Sequence, residues 1–209
     1  MNKTHAYIES FLRFPNPALA EMDAQYRTVE RAQPEIGLQA GCFLSLLIEA
    51  MRVRHVLEFG TCLGYSTLFL GEAVRRSGGR LTSIESDAEF FRITRENVTR
   101  AGLEDFVNLV HGDASLIIEE LPGPFDLILQ DSAKPLYAQM LEPCIARLRP
   151  RGILAADDAL FRPMGIRKEM ADPVHEYLER VFGDPRLTTT ILPIGDGLAI
   201  SVKREETGE

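Results

Sequence analysis

Three aspartates are spaced so that they could hold a divalent metal ion. Asp131 follows the apolar run that begins at Phe125, and Asp157 and Asp158 follow the next such run, with Asp157 lying 26 residues after Asp131. Because the carboxyl ends of parallel strands meet at one edge of a sheet, we expect the three carboxylates to converge. Without a cation they would repel one another, whereas Mg²⁺ prefers such oxygen ligands together with water and substrate oxygens. Each aspartate taken alone could instead cap the helix or turn that follows it.

A glycine-bearing turn follows the first apolar run, in the stretch Glu58-Phe59-Gly60-Thr61-Cys62-Leu63-Gly64-Tyr65-Ser66. Its GxxxG spacing differs from the GxGxxG of a dinucleotide site, and no P-loop lysine follows, so the pattern disfavours both classes. Gly60 and Gly64 allow the backbone to approach a ligand closely. Glu58 could meet a cationic amine, and Ser66 could cap the next helix or contact a carboxylate.

Glu85 ends the second apolar run, 25 residues after Gly60. An acidic side chain at this place can accept hydrogen bonds from both hydroxyls of a ribose. Taken alone, such a residue is more often a solvated loop charge. Together with the glycine-bearing turn, ribose binding becomes the favoured interpretation.

An α/β fold with a parallel sheet is needed to position these residues. From Val53 onward, short apolar runs alternate with longer amphipathic runs, which is typical of βαβ units. Strands are predicted at Val53 to Phe59, Arg80 to Glu85, Val107 to His111, Phe125 to Asp131 and Gly152 to Asp157. Helices are predicted at Gly64 to Ser77, Asp87 to Ala101, Ala114 to Leu121, Lys134 to Leu148 and Arg167 to Phe182. Leu187 to Leu192 and Leu198 to Lys203 should form an antiparallel hairpin. The first fifty residues are predicted to be helical, with breaks at Pro15-Asn16-Pro17 and Gln33-Pro34.

Size and charge limit the classes of function. The chain has 209 residues, of which 45% are hydrophobic, and this suits one compact α/β domain. A formal net charge of -8 disfavours a protein that grips nucleic acid mainly through phosphates. Cys42, Cys62 and Cys144 are odd in number and widely spaced, which argues against disulfides and a thiolate metal site. We expect a cytoplasmic protein with no membrane partner, because no apolar run could cross a bilayer and the first residues lack a signal-peptide layout.

From about Pro34 to Lys203 the sequence resembles the cation-dependent O-methyltransferases, which include catechol O-methyltransferase and the caffeoyl-CoA type with its bacterial relatives. The resemblance rests on an ordered set of motifs: Val56-Leu57-Glu58-Phe59-Gly60-Thr61-Cys62-Leu63-Gly64-Tyr65-Ser66, Ser83-Ile84-Glu85, Gly112-Asp113-Ala114, Phe125-Asp126-Leu127-Ile128-Leu129-Gln130-Asp131, Leu148-Arg149-Pro150-Arg151-Gly152 and Gly195-Asp196-Gly197-Leu198. It implies an α/β fold of the Rossmann-like, class I S-adenosylmethionine type. That fold has a seven-stranded, mostly parallel sheet with an antiparallel C-terminal hairpin and helices on both faces. The implied layout is a single domain over residues 1–209, with a helical cap and dimer region at 1–52 and the core at 53–203.

The resemblance also implies a binding site for S-adenosylmethionine. Glu58, Gly60 and Ser66 would hold the methionine part, with Ile36 and Gly37 nearby. Glu85 would take the ribose, and Ala114 and Ser115 would border the adenine. The other residues assigned to the cofactor are Cys62, Ser86, Asp113 and Asp131.

A metal site and a catalytic lysine are implied in the same way. Asp131, Asp157 and Asp158 would bind a divalent cation, with Mg²⁺ the first expectation and Mn²⁺ or Ca²⁺ the alternatives. Lys134 matches the catalytic lysine of the family, and the resemblance implies that Lys134 and Asp131 are the catalytic residues. Tyr137 lies one turn further on. The metal would lower the pKa of an acceptor hydroxyl, Lys134 would accept or stabilise the proton, and the oxyanion would attack the sulfonium methyl.

Two positions depart from the family pattern. The second pair of ligands is usually Asp-Asn, whereas this chain has Asp157-Asp158. The added charge could tighten metal binding, favour a different ion or weaken acidification of the acceptor. The stretch Thr188-Thr189-Thr190 lacks the acidic residue with which the catechol enzyme holds its acceptor.

The leading hypothesis is a homodimeric enzyme that methylates a hydroxyl of a small, catechol-like acceptor. One alternative is methylation of a hydroxyuridine in tRNA, which the acidic net charge disfavours. Another is a protein that binds S-adenosylmethionine without transferase activity, which Asp158 suggests. The N-terminal helices and the segment from Ala159 to Arg167 are expected to shape the acceptor pocket.

Overall fold

The computed structural model describes residues 3–26, 32 and 35–205. The predicted break at Gln33-Pro34 and both ends of the predicted domain, residues 1, 2 and 206–209, lie outside the described residues.

A single seven-stranded sheet forms the centre of the described chain. Its strands are β1 (His55–Phe59), β2 (Arg80–Glu85), β3 (Val107–His111), β4 (Phe125–Gln130), β5 (Leu148–Ala156), β6 (Leu187–Leu192) and β7 (Leu198–Lys203). They lie in the order β3-β2-β1-β4-β5-β7-β6. Strands β1 to β5 pair in parallel, and β7 pairs antiparallel with both β5 and β6. The predicted fold class, including the antiparallel hairpin, is confirmed.

Helices connect the strands and precede the sheet. They are α1 (Lys3–Glu9), α2 (Pro17–Tyr26), α3 (Gly37–Ala50), α4 (Tyr65–Ser77), α5 (Ala88–Arg100), α6 (Ala114–Glu120), α7 (Leu136–Gln139), α8 (Leu141–Arg147) and α9 (Lys168–Gly183). Within the described ranges, none of these helices has the length and apolar character needed to cross a membrane.

Both faces of the sheet are buried, because successive side chains of a strand point to opposite faces. Val56 of β1 packs into a core with residues of α3 and α4. The next residue, Leu57, packs into a second core with residues of α8 and α9. The helices therefore cover both faces and leave the carboxyl ends of the parallel strands as the place for a site.

Three predicted boundaries were wrong for identifiable physical reasons. The helix predicted over Lys134 to Leu148 is divided into α7 and α8, because Pro143 has no N–H to donate to the carbonyl of Gln139. Strand β5 begins four residues before Gly152, since Leu148 already pairs with Phe125 ahead of a register shift. Strand β1 begins after Val53, whose N–H closes the end of α3 on Ile48 O at 2.9 Å.

Asn16 fastens the N-terminal helices to the core. Its Nδ2 donates to Glu72 Oε1 at 2.6 Å and to Ala101 O at 3.1 Å, and its Oδ1 accepts from Ala18 N at 3.0 Å. Glu72 is only 1% exposed, so the contact is buried. This contact anchors the start of α2 to α4 and to the residue that follows α5.

Candidate active site

A cavity of about 540 Å³ lies at the carboxyl ends of the parallel strands. From the β3 side to the β5 side it is lined by Asp113, Glu85, Gly60, Asp131 and Asp158. The predicted cofactor residues that line it are Ile36, Gly60, Cys62, Ser66, Glu85, Ser86, Asp113, Ala114 and Asp131. Gly37, Glu58 and Ser115 are not among its lining residues. The cavity therefore joins the candidate cofactor residues to the aspartates.

Glu85 organises the glycine-bearing turn. Its Oε2 accepts hydrogen bonds from the backbone N–H groups of Thr61 at 2.9 Å and Cys62 at 3.0 Å. Its Oε1 accepts from Asp87 N at 2.8 Å. Cys62 is held in the left-handed region, with φ of 47°. Glu85 thus fixes the backbone of the turn from the neighbouring strand, in addition to its predicted contact with a ribose.

Gly60 brings the turn against β4 at a distance that no other residue would allow. A Cβ atom at this position would lie 2.3 Å from Asp131 O, and the φ of Gly60 is +83°. Asp131 N in turn donates to Phe59 O at 3.1 Å. The candidate cofactor turn and the first aspartate of the cluster are therefore in direct backbone contact.

Glu58 lies beneath the cavity floor and is fully buried. Its Oε2 accepts from Thr67 Oγ1 at 2.7 Å and from the hydroxyl of Ser83. Helix α4 begins after Gly64 with no side-chain cap, so the alternative role of Ser66 as a cap was wrong. Burial raises the pKa of Glu58 to about 7, although the hydroxyls of Ser66, Ser83 and Thr67 oppose the shift. Its predicted contact with the methionine part stays a prediction.

Asp113 and Ser115 form the turn on the β3 side. Asp113 is the N-cap of α6, and its Oδ1 accepts from Ser115 N at 2.8 Å and Ser115 Oγ at 2.7 Å. The Ser115 side chain is thereby directed toward Asp113. Of the two residues predicted to border the adenine, Ala114 is buried and Ser115 is not. Their predicted place beside an adenine stays a prediction.

The three aspartates do converge. Asp131, Asp157 and Asp158 each offer a carboxylate oxygen, and these oxygens lie within 4.8 Å of one another. Lys134 Nζ donates to Asp131 Oδ1 at 3.1 Å and to Tyr137 Oη at 3.0 Å, and it forms an ion pair with Asp158. One ammonium group thus pairs with two of the three carboxylates, Asp131 and Asp158, and forms no ion pair with Asp157 in the described chain.

The pKa values of the cluster follow from burial and mutual repulsion. Burial raises the pKa of Asp131 to about 6, with Lys134 opposing the shift and Asp158 adding to it. Burial and the neighbouring Asp131 raise the pKa of Asp157 well above its ordinary value. Burial acts to lower the pKa of Lys134, but the negative charge around it outweighs burial and raises this pKa. Lys134 is therefore an ammonium group while no cation is bound by the carboxylates.

Sequence reasoning gave no individual role to several residues that line the cavity. Tyr26, Phe161, Arg167, Met170 and Asp196 all contribute to its lining. The segment from Ala159 to Arg167 was expected to shape the acceptor pocket, but no motif distinguished its individual residues. Their approach to the cluster depends on how the loop after β5 folds.

Comparison with known proteins identifies the family. The family model described as O-methyltransferase matches residues 15–204. The chain is 32% identical to a catechol O-methyltransferase of Mycobacterium tuberculosis over 212 residues, which cover 95% of this chain and 94% of the relative. It is also 32% identical to a catechol O-methyltransferase of Niastella koreensis over 160 residues, with 74% of this chain and 71% of the relative covered.

Solved structures agree with this result. The cofactor-bound structure of Rv0187 from MTB superposes with a TM-score of 0.87 and 29% identity, and 97% of each chain is covered. An O-methyltransferase from Bacillus cereus in complex with SAH has the same fold, with a TM-score of 0.83, 24% identity and coverage of 95% and 96%. The enzyme interpretation is thereby favoured over a cofactor-binding protein without activity. The chain belongs to the O-methyltransferase family, and it is an S-adenosylmethionine-dependent O-methyltransferase.

Proposed function

We propose that this enzyme methylates a hydroxyl group of a small, catechol-like acceptor with the help of a divalent cation. The observation that carries the proposal is the cluster of Asp131, Asp157 and Asp158, whose oxygens lie within 4.8 Å of one another beside Lys134. Two neighbouring hydroxyls on a ring suit such a cluster, since both can approach one cation.

The cluster fits a hard divalent cation. All three donors are carboxylates, which Mg²⁺, Mn²⁺ and Ca²⁺ prefer. Asp157 is 4% exposed, and its Oδ1 has no hydrogen-bond partner within the described part of the chain. A buried, unpaired carboxylate oxygen is costly, and a bound cation would satisfy it. Once bound, such an ion supplies Lewis acidity that lowers the pKa of an acceptor hydroxyl.

Lys134 is positioned to accept or stabilise the proton of that hydroxyl. In the described arrangement its pKa is raised by the surrounding negative charge, and it acts as a donor. Neutralisation of the carboxylates by a cation would remove this effect and make Lys134 a better proton acceptor. Tyr137 Oη, 3.0 Å from Nζ, orients the amine.

Gly60 and Glu85 position the methyl donor beside this cluster. They fix the cofactor turn and hold it in backbone contact with Asp131. S-adenosylmethionine, when bound there, would supply a sulfonium methyl for transfer to the acceptor oxygen, with a neutral thioether as the leaving group. Such positioning accounts for much of the rate of a group transfer.

Three further observations support a small acceptor. The cavity of about 540 Å³ has the size of a small-molecule site. The net charge of -8 disfavours the alternative acceptor, tRNA. Two of the relatives are named catechol O-methyltransferases. The predicted homodimer, the cytoplasmic location, the single domain over residues 1–209 and the 1–52 cap stay predictions that accompany this proposal.

Methyl transfer by chelator-treated protein tests the proposal. Labelled methyl transfer to catechol and related diols is measured with and without added Mg²⁺ or Mn²⁺. We expect metal-dependent transfer that is lost in Asp131→Ala and Lys134→Ala and retained in the control Glu96→Ala, which changes an exposed helix residue. Methyl transfer that proceeds equally well without metal would refute the proposed role of the cation. Cofactor binding without transfer to any diol would refute the catechol-like acceptor.

A further inference from the structure

Arg167 is an unpaired cation on the acceptor side of the cavity. Of the residues that line the cavity, Lys134 and Arg167 carry positive charge. Lys134 is engaged by Asp131 and Asp158. The guanidinium of Arg167 has no hydrogen bond or ion pair with any residue that the structure describes, and the side chain is exposed. It is therefore available to a ligand.

Two backbone hydrogen bonds link the segment before Arg167 to the aspartate cluster. Phe161 N donates to Asp158 O at 3.1 Å, and Ile166 N donates to Phe161 O at 3.1 Å. Arg167 follows immediately as the N-cap of α9, and its carbonyl accepts from Met170 N at 3.0 Å. The position of Arg167 is thus set by the same loop that carries a candidate metal ligand.

Phe161 lies between Asp158 and Arg167 in the loop after β5, and its side chain lines the cavity. Its ring centroid is 5.8 Å from Lys134 Nζ, and its side chain is 9% exposed. An acceptor whose hydroxyls reach the cluster would rest its ring on Phe161, with Leu136 and Met170 as further apolar lining. The substituent on the far side of such a ring would then point toward Arg167.

Asp196 is an acidic residue that also lines the cavity. Its charge acts on Asp158, so it adds to the negative charge around the cluster. The ion pairs of the cluster are made by Lys134, and Arg167 forms none with any of the three aspartates in the described chain. A substituent that reaches Arg167 is therefore remote from the hydroxyls held by the cluster.

We propose that Arg167 selects acceptors that carry a carboxylate or similar anionic group on the ring, remote from the hydroxyl that is methylated. This inference rests on the proposed function and names its substrate class. A guanidinium suits the role because it donates two parallel hydrogen bonds to a carboxylate. The acidic remainder of the cavity would repel an anion anywhere else, so one cation gives both affinity and orientation.

Methyl transfer to 3,4-dihydroxybenzoate, its methyl ester and dopamine tests the inference. The wild type should have its lowest KM for the acid. In Arg167→Ala the KM for the acid should rise about tenfold or more relative to the ester, the size expected for loss of a charge-assisted hydrogen bond. The kcat should change little. Arg167→Glu should move the preference toward dopamine. The matched control is Arg162→Ala, because Arg162 is an exposed arginine of the same loop that pairs with Asp172 at 3.7 Å and does not line the cavity.

Calorimetry gives a readout that does not need turnover. Binding of 3,4-dihydroxybenzoate to protein loaded with S-adenosylhomocysteine and Mg²⁺ should weaken by the same factor in Arg167→Ala. Equal effects on acid and ester, or no effect on either, would overturn the inference. A dopamine preference in the wild type that disappears in Asp196→Asn would also overturn it and assign selectivity to Asp196. Absence of transfer to all three diols would refute the proposed function instead, while calorimetry would still decide the role of Arg167.

Discussion

Lys134 forms an ion pair with Asp158. Asp158 occupies the position at which the cation-dependent O-methyltransferases usually have asparagine. The same ammonium group donates to Asp131 Oδ1 at 3.1 Å. The additional carboxylate therefore has two possible partners, the lysine and a divalent cation. Whether Asp158 pairs with Lys134 or binds the cation determines how strongly the cation is held.

We expect Asp158→Asn to weaken Mg²⁺ binding, because the variant removes one negative charge from the cluster. The decrease in affinity should be about tenfold or more, the range seen when groups around a metal are altered. Calorimetric titration of chelator-treated protein measures it. Asp113→Asn is the matched control, since Asp113 lines the same cavity on the β3 side but is not part of the three-aspartate cluster. Equal or tighter binding by Asp158→Asn would contradict the expectation.

Asp157→Asn should change stability in opposite ways with and without metal. Without metal the variant should melt at a higher temperature, because it removes a buried carboxylate whose pKa is raised by burial and by Asp131. With Mg²⁺ at a hundred times its Kd, the wild type should gain about 2.7 kcal/mol of unfolding free energy by mass action, and the variant much less. Thermal melting with and without Mg²⁺ measures both effects. A variant that is stabilised by Mg²⁺ as strongly as the wild type would exclude Asp157 as a ligand.

Lys134→Met should reduce kcat by about 10²- to 10⁴-fold, the usual contribution of a positioned acid or base. Cofactor binding should stay within about twofold of the wild type, because Lys134 contacts the aspartate cluster and not the glycine-bearing turn. Lys134→Arg retains the charge but cannot accept a proton near neutral pH, so it should be nearly as slow. Single-turnover rates and calorimetry with S-adenosylhomocysteine separate the two effects. An arginine variant with full activity would show that charge alone is needed.

Glu58→Gln should alter the pH dependence of stability. The pKa of Glu58 rises from 4.5 to about 7 on folding, so the folded state binds the proton more tightly. The contribution of Glu58 therefore favours folding at low pH and becomes less favourable as the pH rises from about 4.5 to about 7, by about 3 kcal/mol in all. Denaturant titrations at pH 5 and pH 8 should show the variant gaining stability over the wild type at pH 8. A difference that is the same at both pH values would contradict this, and Glu96→Gln is the exposed control.

Much of the sheet could be predicted from the sequence, because its strands are bounded by turn residues. The predicted limits of β2, β3, β6 and β7 agree with the structure. The glycine-bearing turn and the acidic residues after β2, β4 and β5 were assigned to the same edge because parallel strands require it. Periodicity failed at α7 and α8, where one missing N–H at Pro143 divides an otherwise continuous amphipathic pattern.

The acceptor side of the site could not be predicted at the same level. Tyr26 and Asp196 are 170 positions apart in the chain, and both line the cavity because the N-terminal helices and the β6–β7 turn contribute to it. Arg167 belongs to a loop with no motif. Its approach to the cavity depends on two backbone hydrogen bonds, Phe161 to Asp158 and Ile166 to Phe161, which side-chain chemistry does not specify.

Gly60 has a consequence for how such an enzyme acquires new substrates. The carbonyl of Asp131 occupies the space where a side chain at residue 60 would begin. The turn proposed to hold the methyl donor and the aspartate proposed to hold the reacting hydroxyls are therefore joined by one backbone contact, which we call the backbone junction. Mutations at this backbone junction would misalign the turn and the aspartate together, so selection can act freely only on the more distant walls. New acceptors should therefore arise through changes in the loop after β5 and in the N-terminal helices, while the distance travelled by the methyl group stays the same.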